Sequence, residues 1–75
     1  MKPYKDVDRD SGIIAYDDGP GYILVGFRDG SIYEYTDASA GASNVATMKR
    51  LAAAGDGLNA FVNKHVRKAY SRKVQ

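Results

Sequence analysis

The chain has 75 residues, enough for one small domain, with 44% hydrophobic and 27% charged side chains, an ordinary globular balance that argues against general disorder. It has no cysteine, which excludes disulfides and thiolate metal sites, so a domain this small must hold itself by packing or by pairing with another chain. No apolar run approaches the length of a membrane span, and the opening residues lack the apolar stretch of a secretory leader, so a cytoplasmic location is expected.

The net charge of +2 is unevenly distributed. Residues 1–56 carry six Lys/Arg against nine Asp/Glu, a net of −3, whereas residues 57–75 carry five Lys/Arg and no acid, a net of +5. A basic end on a mildly acidic body calls for either a polyanionic partner or a solvated face.

In chain order, residues 1–10 are polar without usable periodicity and read as a flexible arm ahead of a single domain over 11–75. Residues 11–17 (SGIIAYD) predict a first strand, followed by the turn-rich Asp17-Asp18-Gly19-Pro20-Gly21. Residues 22–28 (YILVGFR) predict a second strand and residues 31–36 (SIYEYT) a third, joined at Arg28-Asp29-Gly30.

Two hairpin registers compete. A two-residue Asp29-Gly30 loop would pair Phe27 with Ile32 and put Tyr33 and Tyr35 with Leu24 and Gly26. A three-residue loop with Gly30 left-handed shifts the pairing by one and gathers Ile23, Val25, Phe27, Tyr33 and Tyr35 on one face. The second is preferred, because it collects five large residues on one side.

Residues 37–42 read as a small-residue loop, with Ser43 or Asn44 capping a helix that ends near Ala54. Val45, Met48, Leu51 and Ala52 form its apolar stripe, and Gly55 suits the left-handed position beyond its end. A second helix is predicted from about residues 56–58. Its stripe is Leu58, Phe61, Val62, His65, Val66, Ala69 and Tyr70, with Lys64, Arg67 and Lys68 off the stripe and Arg72 and Lys73 extending the basic end. The expected class is α+β: a three-stranded antiparallel meander, then two helices packed on one face.

The order of these pieces resembles the KTSC domain family, the lysyl-tRNA synthetase C-terminal-like domains that also occur as short stand-alone bacterial proteins. The matching residues are Ser11, Ile13 and Tyr16-Asp17; Ile23, Val25 and Phe27; Gly30; Tyr33-Glu34-Tyr35; and Phe61, Asn63, Val66, Arg67 and Tyr70. They span about residues 11–70, with the chain departing from the family between Thr36 and Asn59. The resemblance implies an RNA-binding role, suggested by the family's company with a tRNA synthetase.

From the residues themselves, the strongest functional candidates are Lys64, Arg67, Lys68, Arg72 and Lys73, which are able to neutralise phosphates with no nearby acid in sequence. The competing reading is a solvated face favoured by the helix macrodipole. Tyr33 and Tyr35 suit base stacking if exposed, although the preferred register makes them core. Asp6, Asp8 and Asp10 with Gly12 and Asp17 alternate like a calcium loop. The glycine falls at position seven where six is required, the last acid is Asp where Glu is expected, and no helix precedes it, so no metal site is expected. His65, the one histidine, is expected to be partly buried and structural. No Ser or Cys lies in a nucleophile motif and no glycine cluster forms a phosphate fingerprint, so neither an enzyme nor a cofactor is expected. The leading expectation is an RNA-binding module acting through the basic helix. The alternative is a protein-interaction module that meets another chain or itself through apolar surface and a sheet edge.

Overall fold

The computed structural model describes residues 1–6 and 12–75. The chain is α+β. Among the described residues, β1 (Lys2–Pro3), β2 (Ile13–Gly19), β3 (Tyr22–Phe27), β4 (Ile32–Thr36) and β5 (Arg72–Lys73) form one antiparallel sheet in chain order. Helices α1 (Asp37–Ala40), α2 (Ala42–Ala54) and α3 (Leu58–Phe61) follow β4, and α3 runs directly into a π-helical turn over Val62–Val66.

Turn chemistry sets the meander. Between β2 and β3, Pro20 fixes the first turn position and Gly21 takes φ 77°, the combination that suits a type II turn. Between β3 and β4, Gly30 takes φ 93° at the end of a three-residue loop. The loop is closed by the Phe27 N–H donating to the Ser31 carbonyl at 2.8 Å. The resulting register pairs Ile23 with Tyr35 and Val25 with Tyr33, which is the preferred register, and the Phe27 ring meets Tyr33 edge-on at 5.7 Å.

A bulge in β2 explains how Ile13 and Tyr16 both enter the core although they are three residues apart. Ile13 pairs with Phe27 and Ala15 with Gly26, so Ile14 is the extra residue. An unbroken period of two would have sent Ile13 and Tyr16 to opposite faces.

Against the inner face of the sheet lie Val45, Met48 and Ala52 of α2, each at most 2% exposed, with Leu51 partly buried beside them. Gly55 ends α2 at φ 73°, its N–H donating to the Ala52 carbonyl while the Asp56 N–H reaches the Leu51 carbonyl, a Schellman closure.

Four expectations are corrected. The sheet has five strands where three were expected, because both ends of the chain add short edge strands. Within the polar arm expected over 1–10, Lys2–Pro3 pairs with β2 and Tyr4 is buried, its hydroxyl accepting the Leu58 N–H at 3.2 Å. Burying that ring while satisfying its polar tip docks the segment. The expected loop over 37–42 contains α1, closed by a capping box in which the Thr36 and Ser39 hydroxyls each accept the other residue's N–H at 3.0 Å. Helix α2 accordingly begins after Gly41 instead of at a Ser43 or Asn44 cap.

The fourth correction concerns the basic helix. Leu58, Val62 and Val66 are the buried residues, the i, i+4, i+8 face of the stripe, and the last five residues of the helical segment form a π turn. After Arg67 and Lys68 the chain leaves helical conformation, and residues 71–75 run along β4, with the Ser71 and Val74 N–H groups donating to the Glu34 and Ile32 carbonyls at 2.7 Å each. Backbone groups at a bare sheet edge need partners, and this segment supplies them. Arg72 and Lys73 thus belong to a strand.

Candidate nucleic-acid interface

Where β5 meets β4, the alternation of strand side chains sorts the basic end into two environments. Tyr33 and Lys73 are cross-strand partners, and the Lys73 ammonium lies 5.9 Å from the centre of the half-buried Tyr33 ring. Glu34 and Arg72 are the neighbouring pair, with the Arg72 Nε 3.2 Å from the Glu34 Oε1. Ser71 Oγ donates to the same carboxylate oxygen at 2.7 Å. These contacts, Ser71 first and then Arg72, hold the Glu34 carboxyl below its usual range. Arg72 is therefore already engaged with a carboxylate, on the face opposite to Lys73.

Tyr70 completes the aromatic group. It stands between the turn at 67–68 and β5, outside the helix whose stripe was expected to contain it. Its ring lies 4.7 Å from Tyr33 at a tilt of 47°, meets Tyr35 edge-on at 6.4 Å, and is 41% exposed. Tyr35 is core at 1% exposure, and burial, with smaller contributions from Tyr33 and Tyr70, pushes its hydroxyl up to about 12. Of the three tyrosines, Tyr70 is the one with an open surface. Helical periodicity concealed its position, since the pairing of β5 with β4 is a long-range contact that no local spacing reports.

Lys64 lies on the π turn and Arg67 and Lys68 directly after it, all three exposed and none paired with a carboxylate among the described residues. His65, expected to be partly buried, is exposed and stacks on Phe61 at 4.7 Å and 33°. Val62 and Val66 face inward, and His65 lies beside the half-buried Phe61.

Asp17 accepts the Asp18 N–H at 3.0 Å, and Asp6 lies ahead of the undescribed stretch with φ 51°. Asp8 and Asp10, like Ser11, lie outside the described residues. Among the described residues, no group of three or more His, Cys, Asp or Glu side chains is placed to hold a metal ion, and no helix is long and apolar enough to cross a membrane.

No family model, curated protein or solved structure matches the chain.

Proposed function

We propose that the chain is a small non-catalytic binding module that engages nucleic acid, RNA foremost, through Lys64, Arg67, Lys68 and Lys73, with Arg72 in a secondary role. We propose also that it is a divergent member of the KTSC domain family, whose order of strand, hairpin, Tyr-x-Tyr and basic C-terminal segment it shares. That resemblance is the reason RNA is placed ahead of DNA.

The observation that carries the reading is the set of exposed cations at 64, 67 and 68, unpaired with any described carboxylate, continuing to Lys73 beside the Tyr33 and Tyr70 rings. Cations free of carboxylates are available to displace counterions from a phosphate backbone, and rings beside them offer sequence-tolerant stacking.

The test is fluorescence anisotropy with a labelled RNA hairpin and a labelled single strand at low and high salt. Binding should weaken steeply as salt rises. The combined Lys64→Gln, Arg67→Gln, Lys68→Gln and Lys73→Gln variant should lose binding and keep its fold, since all four side chains are exposed. Adding Arg72→Gln should change little more, because Arg72 is engaged by Glu34.

One observation favours a second reading. Met1, Ile14 and Val74 are 44–53% exposed, apolar side chains on offer to another protein chain or a second copy. If the protein binds neither RNA at low salt and elutes as a dimer on sizing, this reading leads.

A further inference from the structure

We infer that the Tyr70 ring is a stacking platform for an unpaired base, so that the partner at this site is single-stranded nucleic acid in preference to duplex. This inference rests on the nucleic-acid reading and refines it.

Tyr70 packs against two rings and still keeps exposed surface. Tyr33 packs against it at 4.7 Å and Tyr35 meets it edge-on at 6.4 Å, yet 41% of the residue remains exposed. The backbone is held on both sides of it: the Ala69 N–H donates to the Val66 carbonyl at 2.9 Å and the Ser71 N–H to the Glu34 carbonyl at 2.7 Å. A ring fixed in this way costs little conformational entropy when a ligand stacks on it, which is the condition for an efficient contact.

The charges around it match the same ligand. Arg67 and Lys68 precede Tyr70 by two or three residues and Lys73 follows it by three, with the Lys73 ammonium beside the Tyr33 ring that backs Tyr70. A strand laid across this corner would present a base to the ring and a phosphate to Lys73, with Arg67 and Lys68 two or three residues back along the chain. A duplex keeps its bases within its own stack, so its phosphates reach the cations while the ring gains nothing.

The experiment compares three labelled RNAs of matched charge by fluorescence anisotropy: an unstructured single strand, a blunt-ended duplex without a loop and a single strand carrying abasic sites. The proteins are the parent, Tyr70→Ala and Tyr70→Phe. The parent should bind the single strand more tightly than the duplex or the abasic strand. Tyr70→Ala should lose about 5- to 100-fold in affinity for the single strand, the range that loss of one stacked base produces, and keep its affinity for the duplex. Tyr70→Phe, which retains the ring, should bind like the parent.

Equal binding of normal and abasic strands by the parent would overturn the inference, and this comparison stands even if Tyr70→Ala fails to fold. So would a Tyr70→Ala variant that melts like the parent and binds the single strand equally well. Salt-sensitive binding of all three RNAs with no effect of Tyr70 would remove the stacking platform and leave the nucleic-acid reading intact. Absence of binding to any of the three at low salt would remove both.

Discussion

Lys73 and Tyr33 are cross-strand partners, with the Lys73 ammonium 5.9 Å from the ring centre, although they lie forty residues apart in the chain. The pairing brings the basic end and the Tyr-x-Tyr segment into one place. Lys73→Gln should weaken RNA binding to a similar degree across sequences and reduce the slope of log affinity against log salt by about one, as loss of a single phosphate contact does. Stability should change by no more than about 0.5 kcal/mol, since Lys73 is exposed. Titrations at several salt concentrations and a chemical denaturation curve check the two parts.

Tyr4→Phe removes the hydroxyl that accepts the Leu58 N–H at 3.2 Å in a buried position. The first turn of α3 then has a backbone donor without its partner, and a loss of about 1–3 kcal/mol is expected. Denaturant unfolding measures it, and faster hydrogen exchange at the Leu58 amide would place the effect at that bond. A variant with parent-like stability would mean that residues 1–4 are not docked on the helices.

Leu58→Ala should cost about 2–5 kcal/mol, because Leu58 is 0% exposed and its truncation leaves a cavity. Phe61→Ala should cost less despite the larger side chain, since Phe61 is only partly buried and one side of its ring is covered by the exposed His65. Thermal melts of the two variants should fall in that order. The reverse order would relocate the centre of the helical core to Phe61.

Tyr35 titrates at about 12 in the folded protein against 10.0 for the free side chain. The folded state therefore holds its proton more tightly than the unfolded state. Its contribution is fully present below pH 10.0 and is lost as pH rises through that interval towards 12. Alkaline denaturation should show stability falling by about 3 kcal/mol more in the parent than in Tyr35→Phe, which cannot ionise. Parallel curves would indicate that the Tyr35 hydroxyl is solvated.

Much of the central fold was legible from local chemistry. Of the two loops that Arg28-Asp29-Gly30 allowed, the one that gathers Ile23, Val25, Phe27, Tyr33 and Tyr35 on one face gave the observed hairpin register and placed Tyr35 in the core. The stripe Val45, Met48, Leu51 and Ala52 and the terminal Gly55 likewise specified the inner face and the end of α2. The charge split, with no acid beyond residue 56, was also plain in the sequence. Each of these signals is carried by neighbours within a few positions, where turn geometry and periodicity operate.

The two ends of the chain were decided only by the tertiary structure. Lys2–Pro3 and Arg72–Lys73 are two-residue strands, too short to carry an alternation signal, and they form because the edges of β2 and β4 present unpaired backbone groups. Burial of Tyr4 depended on the Leu58 N–H, a buried donor that its hydroxyl satisfies and that lies 54 positions away in the chain. Leu58, Val62 and Val66 face inward, His65 lies outside, and the residues after the π turn cross over to β4. That crossing set Tyr70 on Tyr33, engaged Arg72 with Glu34 and left Lys73 beside the rings, because strand alternation sends adjacent side chains to opposite faces. The sequence by itself determined which residues were basic and which aromatic; the long-range pairing of backbone edges decided which of them meet.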